Sequence, residues 1–158
     1  MARPDRPSAP GVPSGAAVLH ALKITHSAPS LSCATSLAVS SASGLVYGSA
    51  SNGQLFAFSV DERQVVQHWN LRSKGTPLMG VPETYGVIHL TCGHDGDIYG
   101  CTRREVFKLD VSTHRVHYLD PPPIPDLYQI VEGEPGVFYI GARGHLLECH
   151  LQDTPHYR

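Results

Sequence analysis

Arg103-Arg104 and Arg143 stand 40 residues apart in matching surroundings. The first pair follows Ile98-Tyr99-Gly100-Cys101-Thr102, and Arg143 follows Phe138-Tyr139-Ile140-Gly141-Ala142 with Gly144 and His145 behind it. Tyr85 and Tyr128 lie near the starts of neighbouring apolar runs. A guanidinium offers a planar fork of donors that pairs bidentately with a carboxylate. Arginines brought together with tyrosines would therefore suit an anionic partner, such as a uronic-acid sugar or an acidic peptide. As isolated loop charges the same residues would only solvate the surface.

Other constellations carry less. His94-Asp95-Gly96-Asp97 holds two carboxylates but lacks the further oxygen ligands of a calcium loop. Asp-Gly is favoured in a tight turn for backbone reasons alone. Ten histidines form no HxH or HExxH pattern, and His114 and His117 fall at a turn and in a strand-like run, so nothing makes them converge. No nucleophile elbow, P-loop or GxGxxG occurs. Cys33, Cys92, Cys101 and Cys149 are spaced by 59, 9 and 48 residues, which fits no metal knuckle. Three of them sit in apolar runs, where cysteine is usually a small buried hydrophobe. We assign no catalytic residue, no metal site and no cofactor. The ligand-binding candidates are Arg103, Arg104, Arg143, His145, Tyr85 and Tyr128.

The elements that must position these residues are short. From about Leu31 onward, runs rich in Val, Tyr, Phe and Ile recur between Gly, Asn, Asp and Pro, the signature of strands and turns. Leu45-Val46-Tyr47, Gln54-Leu55-Phe56-Ala57-Phe58, Val87-Ile88-His89-Leu90, Val106-Phe107-Lys108-Leu109 and Val137-Phe138-Tyr139-Ile140 are examples. Several alternate apolar with polar, as a half-buried strand does. No sustained helical stripe follows Leu31. With 15 Gly and 13 Pro the chain turns too often for long helices.

Composition excludes several classes. Twelve Lys and Arg against 14 Asp and Glu give a net charge of −2, unlike a polybasic nucleic-acid wrapper. Charged residues at 16% and hydrophobic ones at 41% describe a packed chain. No apolar run approaches the roughly 18 residues that span a bilayer. Met1–Gly15 has no apolar core behind its arginines, so no signal peptide or transmembrane segment is read here, and the compartment stays open. No nucleic-acid or membrane partner is expected. Residues 1–30 hold much Pro, Ala and Ser and are expected to form a flexible, disordered N-terminal tail, with a possible edge strand over 17–24.

The strand-like runs repeat. Gly44-Leu45-Val46-Tyr47-Gly48 returns as Gly96-Asp97-Ile98-Tyr99-Gly100, 52 residues on. Phe56, Phe58, Val60 and Val65 return as Phe107, Leu109, Val111 and Val116, 51 residues on. A third copy, 40 residues further, maps Tyr99 to Tyr139, Arg103 to Arg143 and Val106-Phe107 to Leu146-Leu147. Repeats of about 40–50 residues with about four short strands each are the mark of a β-propeller. The expected fold is thus all-β, an incomplete β-propeller of about three four-stranded antiparallel blades over 31–71, 83–120 and 126–151. Residues 152–158 are read as a C-terminal tail, which leaves the third blade without its fourth strand. Pro121-Pro122-Pro123-Ile124-Pro125 is read as a stiff connector between blades, ahead of a polyproline ligand for a partner's groove.

The motif G-x-[IV]-Y-G, a short gap, [LV]-F-x-[FL]-[DS]-V, then a polar turn and two valines resembles the blades of PQQ-like, NHL-like and related propellers. Such blades also occur in bacterial carbohydrate-active proteins. The resemblance spans about Leu31 to Leu151 and lacks the Gly-His and Trp-Asp pairs of WD40 repeats. Nor is there a tryptophan docking pattern of quinoprotein dehydrogenases; Trp69 is the only Trp. It implies ligand binding at one face, where the loops between the second and third strands converge with the connections between blades.

Two functions follow as expectations. One is a binding or scaffold module that recognises a protein or glycan ligand at its loop face and belongs to a larger propeller. The other is a piece of a carbohydrate-active enzyme, a polysaccharide lyase or hydrolase acting on acidic sugars, with Tyr128, His145 and Arg143 on offer. A redox quinoprotein ranks last. Three blades do not close a ring, so the chain is expected to belong to a longer propeller, to pair with a second copy as a homo-oligomer that completes the ring, or to cover an open edge with its own N-terminal segment.

Overall fold

The computed structural model describes residues 34–50, 54–71, 89–151 and 155–157. The expected tail over 1–30, the edge strand over 17–24 and Tyr85 lie outside them. The described residues contain no helix.

Among the described residues twelve strands form three antiparallel meanders. The first sheet runs β1 (Ala34–Val39), β2 (Val46–Ala50), β3 (Gln54–Ser59) and β4 (Gln64–Asn70) in that order. The second runs β5 (His89–Cys92), β6 (Ile98–Cys101), β7 (Val106–Asp110) and β8 (Arg115–Tyr118). The third holds β9 (Leu127–Glu132), β10 (Val137–Ala142), β11 (His145–Leu151) and β12 (Pro155–Tyr157). Each sheet is one repeat of the sequence, and we name its strands A to D in chain order.

The fourth strand of the last sheet corrects the sequence reading. Pro155–Tyr157 pairs with β11 through Cys149↔Tyr157, His150↔His156 and Leu151↔Pro155, so part of the expected tail is sheet edge. Proline is tolerated there because it opens an edge strand, where one side of the backbone has no ladder partner.

Local chemistry explains the turns. Asp110 Oδ1 accepts the N–H groups of Ser112 and Thr113, both at 2.9 Å, and so holds the C–D turn of the second blade. Ser59 does the same in the first blade, accepting from Glu62 N at 3.2 Å. Both turns end in a left-handed residue, Arg63 at φ 54° and His114 at φ 58°. The matching strand D residues begin one position later.

Burial follows the pleat. Gly48 faces Phe56 and Gly100 faces Phe107 across the B–C ladders, so each ring lies over a bare backbone. In the third blade the same position pairs Ile140 with Leu147, a residue larger than glycine opposite one smaller than phenylalanine. Tyr47, Leu55, Leu90, Ile98, Phe107 and Leu109 form one core between the first two sheets. Tyr99, Val106, Ile130, Phe138, Ile140 and Leu147 form a second between the last two. Burial of such side chains, at about 25 cal/mol per Å² of apolar surface, holds the sheets face to face.

Candidate functional site

In the second and third blades the B–C loops and the strand D to strand A connection between them share one end of the stack. In the second blade Thr102 Oγ1 accepts from Arg104 N (3.2 Å) and Glu105 N (3.0 Å), and Thr102 N donates to Glu105 O (2.9 Å). The loop is thereby a fixed turn that carries Arg103 and Arg104. In the third blade Arg143 and Gly144 alone join Ala142 to His145, and Gly144 takes φ 72°, which costs glycine little.

The start of β9 is stitched between these two loops. Leu127 N donates to Arg103 O at 3.0 Å, and Arg143 N donates to Asp126 O at 3.1 Å. Asp126 itself sits at φ 61°, a conformation aspartate tolerates better than most residues. Its carboxylate stands between the two arginines: Oδ1 lies 3.6 Å from an Arg103 terminal nitrogen and Oδ2 lies 3.9 Å from one of Arg143. The Arg103 guanidinium lies 5.8 Å from the centre of the Tyr128 ring. His145 places Nδ1 2.8 Å from the Arg143 carbonyl oxygen.

The structure thus joins Arg103, Arg143 and Tyr128 directly, and His145 through the Arg143 backbone. Arg104 shares the Arg103 loop. Tyr85 falls outside the described residues. Asp126 is the residue sequence reasoning missed; the available signal was its place after Pro125, where an aspartate in a turn opens the next strand.

Both arginines reach the Asp126 carboxylate, and the pairs are loose. The Arg143 side chain remains 81% exposed. Exposed ion pairs of this kind contribute about 0–1 kcal/mol.

The opposite end of the stack differs. His94-Asp95-Gly96-Asp97 forms a tight turn with Gly96 at φ 85° and Gly96 N donating to Gly93 O at 2.9 Å. Its carboxylates are already engaged. Lys108 Nζ lies 2.9 Å from both Asp95 and Asp97, Tyr99 OH donates to Asp95 at 2.7 Å, and Val111 N donates to Asp97 at 3.0 Å. Desolvation pushes the Asp95 carboxyl up, but hydrogen bonds from Lys108 and Tyr99 outweigh it and hold the group below the usual 3.8. Desolvation pulls Lys108 down, and its bonds to Asp95 and Asp97 more than reverse this. Burial, then the Asp95 bond, raises the Tyr99 phenol above its usual range. Beside this turn, Ser41, Cys92, Gly93, His94, Glu132 and Gly133 line a shallow depression. Glu132 spans it, accepting from His94 N and from Gly136 N. Among the described residues no group of three His, Cys, Asp or Glu side chains is placed to hold a metal ion.

Solved structures share this stack of sheets. Virginiamycin B lyase from Staphylococcus aureus superposes with a TM-score of 0.57 at 18% identity, over 79% of this chain and 40% of that one. RRP9 WD40 repeats superpose with a TM-score of 0.62 at 12% identity, over 79% of this chain and 37% of that one. The extracellular domain of the hybrid two component system BT3049 from B. thetaiotaomicron gives 0.59 at 18% identity, over 79% and 18%. The fold is a partial β-propeller. The chain spans less than half the length of each of these propellers, and identities this low carry the fold alone. No protein-family model matches the chain, and no curated protein sequence matches it.

The propeller layout explains why the candidate residues meet. Position 103 of the second blade and 143 of the third are the same place in successive blades, and strand A of the third blade starts between them.

Proposed function

We propose that this propeller is a binding module whose B–C loop end takes a carboxylate-bearing ligand, an acidic glycan or an acidic peptide. The observation that carries the reading is the convergence of Arg103 and Arg143, from successive blades, on the single carboxylate of Asp126, with the Arg143 side chain largely in solvent. Asp126 orients the pair in the absence of ligand. A ligand carboxylate then takes the outer donors of Arg143, and the Tyr128 ring beside Arg103 offers a flat surface to a sugar or side chain. The blade motif supports a place among the PQQ-like and NHL-like propellers.

Calorimetric titration tests this with a galacturonate oligomer, a neutral galactose oligomer of equal length, and a poly-glutamate peptide. The acidic glycan or the peptide binds, the neutral sugar does not, and Arg143→Ala weakens binding by about tenfold or more, as loss of a charge-assisted pair does. Equal binding of neutral and acidic sugars contradicts the reading. Appearance of unsaturated product in the ultraviolet during the same incubation, lost in Tyr128→Phe, favours the lyase alternative instead.

A further inference from the structure

Neighbouring blades meet by one repeated joint. Ser36 Oγ accepts from Leu90 N at 3.0 Å between the first and second blades. His89 Nδ1 accepts from Ile130 N at 3.4 Å between the second and third. Strand register makes Leu37, Leu90 and Ile130 one position: they lie opposite Gly48, Gly100 and Ile140. It makes Leu55, Val106 and Leu146 a second: they lie opposite Ser49, Cys101 and Gly141. Leu55 and Leu90 share the first core, and Val106 and Ile130 share the second. Leu37 and Leu146 are the two members left over, one at each end of the stack.

Their exposure sets them apart from their equivalents. Leu90 is 3% exposed where Leu37 is 61% exposed, and Val106 is 0% exposed where Leu146 is 71% exposed. Val39 beside Leu37 and Val131 beside Tyr139 are exposed in the same way. Phe56 and Phe58, on the Leu37 face, are already buried, so the open part of that face is led by Leu37 and Val39.

We propose that a second copy of this chain covers both ends: the third blade of each copy packs on the first blade of the other, and six blades close a ring. The exposed parts of the two faces, Leu37 with Val39 and Leu146 with Val131, are the two halves of a contact the chain already makes twice. Two such joints related by a two-fold axis close the assembly, and six blades fall within the roughly four to eight of closed propellers. Gln129 precedes Ile130 as Ser36 precedes Leu37 and His89 precedes Leu90, so its amide oxygen accepts the second copy's Leu37 N–H. Closure also brings the B–C loops of both copies to one mouth, with Arg103 and Arg143 supplied twice. The assembly does not depend on the ligand reading: a mass measurement decides it without any ligand.

Sedimentation equilibrium of the full chain over a dilution series gives the test. The expected mass is twice 17.1 kDa. Leu146→Glu and Leu37→Glu, on opposite sides of the same joint, each weaken the dimer by about 30-fold or more. Combining Leu146→Glu with Leu37→Lys restores it, which a merely unfolded variant cannot do. A wild-type mass of 17.1 kDa throughout, a ladder of masses beyond the dimer, or a dimer indifferent to both glutamates overturns the proposal.

Discussion

Gly100 and Phe107 face each other across strands B and C of the second blade, and a Cβ at Gly100 would fall 2.3 Å from the tip of the Phe107 ring. Gly48 stands in the same relation to Phe56 at 2.2 Å. The ring therefore fills the space that a side chain on the neighbouring strand would need. Phe107 is fully buried and has nowhere to retreat. Gly100→Ala should destabilise the fold by about 1–3 kcal/mol, the usual cost of overpacking, read as a lower midpoint in urea denaturation. Adding Phe107→Leu should recover part of the loss, since the third blade pairs Ile140 with Leu147 at this place. Equal stability of Gly100→Ala and wild type would show that the ring is not held against the backbone.

The Asp110 carboxylate caps its turn through Ser112 and Thr113, and the Ser112 hydroxyl bond leads in lowering its pKa from 3.8 to about 2. A depressed carboxyl stabilises the fold above its unfolded value and loses that contribution as pH falls through its folded value. The loss therefore runs from about pH 4 down to about pH 2. Asp110→Ala should flatten the dependence of stability on pH in that window, measured by thermal melts across it. An unchanged slope would remove the cap from the account.

The propeller was legible where the repeat was strong, and it faded where local pattern and tertiary pairing parted. Tyr47, Tyr99 and Tyr139 each mark strand B, because an alternating apolar run with a flanking glycine is both a sequence pattern and a structural need. Strand β1, with its Ala and Ser, gave no such run; it is a strand because Leu37, Ala38 and Val39 pair with β2. Strand β12 was invisible for a related reason: three residues starting in proline carry no periodicity, and only the edge of β11 facing away from β10 gives them a partner. At the candidate site the arginines were legible through their equivalent spacing. Asp126 was not, since its role comes from a left-handed backbone at the joint between blades and not from any motif.

Burial sorts the cysteines by reactivity. It pushes the Cys101 thiol up to about 12, with a backbone contact to His89 opposing it, and Cys149 is buried as well. Cys92 is partly exposed. Under native conditions near neutral pH, an alkylating reagent should modify Cys92 and leave Cys101 and Cys149 untouched until denaturant is added, as read by peptide mass spectrometry. Rapid modification of Cys101 in the folded protein would contradict the packing between the second and third blades.

The site itself can be watched most directly through the arginine Nε–Hε resonances in an NMR titration with a galacturonate oligomer. The account predicts that Arg103 and Arg143 shift together and saturably, with the Asp126 carboxyl carbon moving alongside and the resonances of His94 and Glu132 at the opposite end unchanged. Shifts confined to the His94 and Glu132 end, or no saturable change at Arg103 and Arg143 with any carboxylate ligand, would contradict it.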